Sequence, residues 1–132
     1  MADSLLTELV EEELGAVVFV GDYLQLDFSA ARFTLHVWPT VTIGHVTREF
    51  VDTGYRDALC AFISHEVVAV DESHERGLVI RFGLGDIETK PVLTDLSGPE
   101  IAMLQVHADS FRDASLMVWR PGDEPFSGPD WA

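Results

Sequence analysis

The most constraining feature of this sequence is a strict alternation of apolar and polar residues in its first third. Every second residue of Tyr23–Phe28 is apolar, and the same period of two returns in Arg32–Trp38. This period is typical of β-strands with one buried face and one wetter face. Gly21 and Asp22 separate these segments from an apolar run upstream, and the pair suits a two-residue hairpin turn. The stretch therefore predicts a three-strand antiparallel meander that Pro39 ends, because proline cannot donate to the ladder.

The same succession of patterns returns in the second half of the chain. An amphipathic pattern over Gly54–Ser64 predicts a helix after the first meander, and Ser97–Glu100 reads as a capping box that begins a second helix. The matching strand segments are Ala16–Val20 with Glu66–Val70, Leu24–Phe28 with Leu78–Phe82, and Phe33–Trp38 with Ile87–Val92. We predict an α+β fold of antiparallel meanders in two βββα-like repeats related by a pseudo-two-fold axis. Chance similarity of two hairpin-helix segments is the alternative.

The predicted organisation is one domain over residues 1–132. A short N-terminal helix occupies 1–14, capped by Asp3 or Ser4. The first repeat covers 16–64, with an extra strand pair or extended arm over Val41–Val51 that breaks at Gly44-His45. The second repeat covers 66–108, and a final strand (Ser115–Trp119) and an extended tail occupy 115–132. The predicted core residues are Val18, Leu24, Leu26, Phe28, Phe33, Leu35, Leu59, Phe62, Val68, Ile80 and Phe82, with Cys60 as a small packing residue.

The charge of the chain narrows the classes of partner. Asp and Glu number 23 against 8 Lys and Arg, for a net charge of −15. Such a surface repels phosphate backbones and anionic membranes, so we expect neither nucleic-acid nor membrane binding. A basic protein is the partner that the charge favours, and solubility without any partner is the alternative. No signal peptide or long apolar run is recognisable, which predicts a cytoplasmic protein.

The residues that commonly carry chemistry do not assemble into a recognisable site. A single cysteine excludes an internal disulfide framework and a thiolate zinc site within one chain. The densest group of potential metal ligands runs from His65 to Glu75, but its two histidines fall at opposite ends of a predicted strand, about 17 Å apart. We therefore predict no catalytic residues, no cofactor and no metal.

Two kinds of residue are candidates for binding a partner. Tyr23 and Trp38 are aromatic residues on the face opposite the predicted core, where they line a groove or an exposed contact surface. The alternative for these two is core filling beneath a packed helix. The acidic candidates form two clusters, Glu11, Glu12 and Glu13 near the end of the first helix and Asp71, Glu72 and Glu75 near a hairpin loop. Simple solvated charge is the alternative for both clusters.

Several short motifs support a resemblance. Asp22–Phe28, Trp38-Pro39, Gly54–Leu59 and Gly98–Glu100 together resemble a group of short bacterial single-domain proteins without an established activity. The resemblance implies a soluble cytosolic protein, and it carries over no catalytic residue, because these motifs are turns, caps and core strands.

Three functional hypotheses remain. The first is a non-enzymatic protein-interaction module with an acidic surface, of which an immunity-type inhibitor of a basic toxin is a specific version. The second is a small-molecule-binding protein or enzyme with its site between sheet and helices. The third is a self-associating structural domain, and a homo-oligomer is compatible with all three. The absence of recognisable catalytic groups places the interaction module first.

Overall fold

Ten strands in two sheets form the framework of the part of the chain that the structure describes. The structure is a computed structural model, and it describes residues 5–91, 100–107 and 115–127. Each sheet is antiparallel and has five strands. The strands are β1 (Leu14–Val20), β2 (Tyr23–Phe28), β3 (Ala31–Leu35), β4 (Thr40–Ile43), β5 (Val46–Arg48), β6 (Val67–Ser73), β7 (Gly77–Phe82), β8 (Gly85–Thr89), β9 (Ala102–Val106) and β10 (Ser115–Trp119). The fold is therefore mainly β, and the predicted α+β class is wrong.

The strand order reveals an exchange of hairpins between the two halves of the chain. The meander β1-β2-β3 is completed by the hairpin β9-β10, and the meander β8-β7-β6 is completed by the hairpin β4-β5. Both predicted three-strand meanders are present, and they have the same strand order. The βββα repeat is wrong, however, because each described half consists of a meander and a hairpin that pairs with the other half's meander.

Only one short α-helix is present in the described part of the chain. It is α1, Tyr55–Cys60, and turns continue from it to Ser64. The predicted apolar side of this segment is buried at Tyr55, Ala58, Leu59 and Phe62. A 3₁₀ helix, Leu5–Leu9, replaces the predicted N-terminal α-helix and buries Leu6 and Leu9. Its predicted caps, Asp3 and Ser4, lie outside the described residues.

The predicted second main helix is contradicted by strand β9. Its capping segment Ser97–Pro99 lies outside the described residues, but Ala102–Val106 pairs along its whole length with both β3 and β10. Ala102 and Leu104 are buried while Gln105 is exposed, which is the alternation of a strand. A short, largely apolar segment fits a helix or a strand equally well, and pairing with the edge of β3 decides between them.

A bulge near the start of each meander explains two errors in the predicted core. The register shifts between Leu14 and Ala16 in β1 and between Val67 and Ala69 in β6. Each bulge inserts one residue, so the inward-facing positions change phase after it. Consequently Val68 is 58% exposed and Val18 is only partly buried, while Val17 and Val70 pack against the core. The other nine predicted core residues are buried.

The two sheets bury one shared core and cross steeply. At the start of β6, the backbone of Val67 is hydrogen-bonded to that of Glu11 and Glu12, just before β1. Five residues later, Glu72 accepts a hydrogen bond from the indole of Trp119 on β10, at the opposite edge of the first sheet. Five extended residues span about 17 Å, close to four strand spacings of about 4.8 Å. Strand β6 therefore runs across the strands of the first sheet, as in orthogonal sheet packing.

The segment after β10 returns to the core. Phe126 is 2% exposed, so this aromatic side chain of the tail packs into the core. Trp131, another aromatic residue of the tail, lies outside the described residues.

Candidate functional site

A cleft of about 510 Å³ opens where the connection between β3 and β4 meets the loop after β5. The turn between β1 and β2 contributes to one wall, and the end of β8 contributes to another. The lining residues are Asp22, His36, Val37, Trp38, Pro39, Thr40, Glu49, Phe50, Val51, Glu88, Lys90 and Pro91. We call this feature the aromatic cleft.

A row of stacked rings forms the apolar part of this cleft. The Trp38 ring stacks on Phe50 with 4.3 Å between ring centroids and on Phe19 with 6.3 Å, and both interplanar angles are 21°. At the far end of the row, the Arg56 guanidinium carbon lies 5.5 Å from the Phe19 ring centroid. We call Phe19, Trp38 and Phe50 the aromatic row. Its cleft end is accessible, because Phe50 is 40% exposed and the adjacent Val51 is 85% exposed.

Tyr55 anchors the aromatic row to the core. Its ring is 2% exposed and meets Phe50 edge to face, with 5.9 Å between the ring centroids. Its hydroxyl donates a hydrogen bond to the carbonyl oxygen of Pro39, the residue after Trp38. Burial raises the pKa of Tyr55 above its ordinary value, so the hydroxyl keeps its proton and remains a donor. The helix that carries Tyr55 thus holds both Phe50 and the backbone of Pro39, two residues that line the cleft.

The charged groups of the cleft leave an excess of negative charge. Among the described residues, three carboxylates and one ammonium group line it. Glu88 is paired with Arg76 at 2.9 Å, and the Lys90 ammonium donates to the backbone carbonyl of Glu75. Asp22 and Glu49 form no side-chain ion pair with any residue that the structure describes. These two carboxylates are therefore available to a cationic ligand.

The structure separates the two predicted aromatic candidates. Trp38 lines the cleft, but Tyr23 does not; the Tyr23 ring contacts His36 instead, with 5.7 Å between ring centroids. Strand β3 ends at Leu35, so Trp38 lies in the connection to β4 rather than on a strand face. The prediction that these two rings share a strand face is wrong for this reason.

The acidic cluster at Glu11–Glu13 lies at the junction between the two sheets. The Glu12 carboxylate is engaged within the protein, because it accepts hydrogen bonds from the Ser29 hydroxyl and the Ala30 backbone N–H. Glu13 is exposed and pairs across an antiparallel bridge with Glu66. Like charges directly opposite each other are destabilising by a few tenths of a kcal/mol or more. Glu11, Glu13 and Glu66 therefore form an exposed acidic junction.

The second acidic cluster does not act as a unit. Asp71 and Glu72 belong to β6, whereas Glu75 is exposed in the turn to β7. One carboxylate oxygen of Glu72 accepts from Trp119, and the other is buried without a hydrogen-bond partner in the described part of the protein. The clusters lie at opposite ends of β6, so the structure does not bring them together.

The remaining reactive side chains are scattered. Cys60 is exposed rather than packed as predicted, because α1 turns its last residue outward. His65 lies beside the start of β6, and His74 lies beyond its end, 2.7 Å from a carboxylate oxygen of Glu124. Within residues 5–91, 100–107 and 115–127, no group of three or more His, Cys, Asp or Glu side chains could hold a metal ion.

Sequence reasoning missed most of the cleft. The sequence places Asp22 only in a turn, and Glu49–Val51 only at the end of a strand pair or extended arm. The signal that the sequence offers is an aromatic residue, Phe50, at the end of that segment. That signal locates no site until the fold brings the segment beside Trp38.

Comparisons with known proteins give no relative from which a function could be transferred. No protein family, curated protein or solved structure matches this chain. None of the helices in the described residues combines the length and the apolar character needed to cross a membrane.

Proposed function

We propose that this protein is a non-enzymatic interaction module that binds a basic protein partner through the aromatic cleft. The observation that carries the proposal is the position of Phe50, which stacks on Trp38 yet remains 40% exposed. Asp22 and Glu49 line the same cleft, and their carboxylates form no ion pair with a described residue. Aromatic anchors surrounded by a polar rim are the usual centre of a protein interface.

The overall charge supports a basic partner. A net charge of −15 attracts cationic proteins over several ångströms and raises their rate of encounter. The acidic junction adds to this field. An immunity-type inhibitor of a basic toxin is one specific form of this proposal.

A small cationic molecule is the second candidate ligand. The cleft volume lies within the range of about 300–1,000 Å³ that is usual for small-molecule sites. An exposed Val51 at the rim favours a macromolecular partner instead, because a small molecule confined to the cleft gives this side chain nothing to pack against.

A comparative capture experiment tests the proposal. Immobilised wild-type protein and its Asp22→Lys/Glu49→Lys variant are incubated with the same extract, and the bound proteins are identified by mass spectrometry. We expect basic proteins on the wild type and their loss from the variant. A Glu8→Lys/Asp123→Lys variant makes the same charge change at exposed positions outside the cleft and should retain the basic proteins. Captured proteins that are acidic, or that are equally retained by the cleft variant, would contradict the proposal.

Association kinetics provide the second readout. With a captured partner, charge reversal at Glu11 and Glu13 should slow association by about 10-fold at low salt and change dissociation much less. The difference should shrink as the Debye length falls to about 8 Å near physiological ionic strength. Stopped-flow or surface-based kinetics at several salt concentrations would measure both rates. An association rate that does not depend on salt would contradict electrostatic steering.

A further inference from the structure

We infer that the aromatic cleft receives the side chain of an arginine carried by a basic segment of the partner. This inference rests on the proposed function and specifies its ligand. It concerns one cationic side chain, held by stacking on the cleft end of the aromatic row and by the carboxylates of Asp22 and Glu49.

The protein already carries one example of this interaction. The Arg56 guanidinium carbon lies 5.5 Å from the centroid of Phe19, at the end of the row that does not line the cleft. That distance is within the range of a cation–π contact. The aromatic row therefore accommodates a guanidinium at its Phe19 end. Its cleft end presents the same type of ring, Phe50.

The cleft end of the aromatic row combines the two features that bind a guanidinium, a fixed aromatic ring and nearby carboxylates. Phe50 is 40% exposed and is held in place by stacking on Trp38 and by an edge-to-face contact with Tyr55. Rings fixed in this way lose little entropy when a ligand stacks on them. Asp22 and Glu49 line the same cleft without ion pairs to described residues, so they can accept hydrogen bonds from a planar group with five N–H donors.

Lys90 and His36 also line the cleft, and each already contacts another group of the protein. The Lys90 ammonium is directed to the backbone carbonyl of Glu75. His36 contacts the Tyr23 ring. Lysine is a poorer fit than arginine, because an ammonium is a compact, strongly hydrated charge that cannot stack flat on a ring.

Titration with two matched peptides tests the inference. The probes are acetyl-Gly-Gly-Arg-Gly-Gly-amide and the same peptide with lysine, added to the full-length protein at low salt and followed by backbone NMR shifts and tryptophan fluorescence. We expect shifts at Trp38, Phe50 and Glu49, with the arginine peptide bound several-fold more tightly. Phe50→Leu should weaken arginine binding by about 2- to 30-fold, which corresponds to the usual range of cation–π contacts.

The charge contribution is tested separately. Asp22→Asn/Glu49→Gln should weaken the arginine peptide by about 3- to 10-fold at low salt and less at high salt. Glu8→Gln/Asp123→Asn is the matched control, because it removes two exposed carboxylates that do not line the cleft. Unchanged near-ultraviolet circular dichroism and melting temperature would show that each variant is folded.

The outcomes separate this inference from the function on which it rests. If basic proteins are captured through the cleft but the two peptides bind equally, or Phe50→Leu has no effect, the arginine assignment is overturned and the interaction module stands. If the extract yields no basic partner but the arginine peptide binds with the expected pattern, the cleft is a guanidinium site and the protein-partner proposal fails. Absence of both results overturns both.

Discussion

Tyr55 shows how a single side chain couples the fold to the cleft. Its ring is buried in the core and contacts Phe50 edge to face, and its hydroxyl donates a hydrogen bond to the Pro39 carbonyl oxygen. Since burial raises its pKa in the folded state, the folded protein retains a proton that the unfolded chain releases above pH about 10. The stabilisation is complete below that pH and is lost as the pH rises beyond it.

We therefore expect Tyr55→Phe to reduce the alkaline loss of stability. The variant should cost about 0.5–1.5 kcal/mol at pH 7, because the hydrogen bond to Pro39 is lost. Between pH 9 and 11, however, its free energy of unfolding should fall less steeply than that of the wild type. Urea denaturation at each pH measures this quantity. Equal slopes for Tyr55→Phe and the wild type would refute the assignment.

For single residues, the sequence predicted which side chains are buried better than it predicted which partners a side chain contacts. Alternation identified Leu24, Leu26 and Phe28 as core residues, because a period of two specifies a face. The role of Glu12 could not be predicted, since its partners Ser29 and Ala30 lie across a strand pair. Side-chain partners of this kind depend on register, which apolar patterns specify only weakly when a bulge is present.

Strands β4 and β8 meet so closely that one position between them requires a glycine. A Cβ atom at Gly85 would collide with the backbone carbonyl oxygen of Thr42 on β4. The corresponding position of the first meander is Ala31, which is fully buried and pairs with Val106 of β9. A small residue thus begins the third strand of each meander, where the exchanged hairpin docks.

Gly85→Ala should consequently weaken the seam between β4 and β8. We expect a loss of about 1–3 kcal/mol in the free energy of unfolding, the usual cost of overpacking. Gly83→Ala, two residues earlier, is the matched control: its added methyl meets nothing within 4 Å, so the change should stay within about 0.5 kcal/mol. Urea denaturation of both variants measures the difference, and equal stabilities would show that β4 can move aside freely.

Elements were predicted well where local patterns suffice and poorly where distant pairing decides. Both meanders follow from alternation and turn residues. For Val41–Val51, where the sequence allows a strand pair or an extended arm, the structure shows the strand pair. The segment after the capping box at Ser97–Glu100 is predicted as a helix but forms β9, because its composition suits either element and its partner β3 is far away in sequence. The cleft shares this difficulty, since it joins residues from the turn after β1 to the end of β8.

For the whole molecule, the exchanged hairpins join both halves into one unit. Neither sheet is built from one half alone, and a single core contains residues of both sheets. We therefore expect one cooperative unfolding transition rather than two.

Phe82→Ala tests this expectation from the second meander. Its ring contacts Phe62 with 4.7 Å between ring centroids, and its removal should cost about 3–5 kcal/mol. The transition followed by tryptophan fluorescence, which includes Trp119 of the first sheet, should shift together with the transition followed by far-ultraviolet circular dichroism. Calorimetric and van't Hoff enthalpies should also agree. A first sheet that melts later than the second would refute the coupling.

The hairpin exchange also has a consequence for synthesis on the ribosome. Strand β3 ends at Leu35 and its neighbour β9 begins at Ala102, so residues 36–101 are translated between the two. At about 5–20 residues per second, those 66 residues occupy the ribosome for about 3–13 s. During that interval β3 is an unpaired sheet edge that carries Phe33 and Leu35, and such edges attract other strands. Each nascent chain must therefore pass through a period in which its first sheet is open to chaperones or to a neighbouring chain.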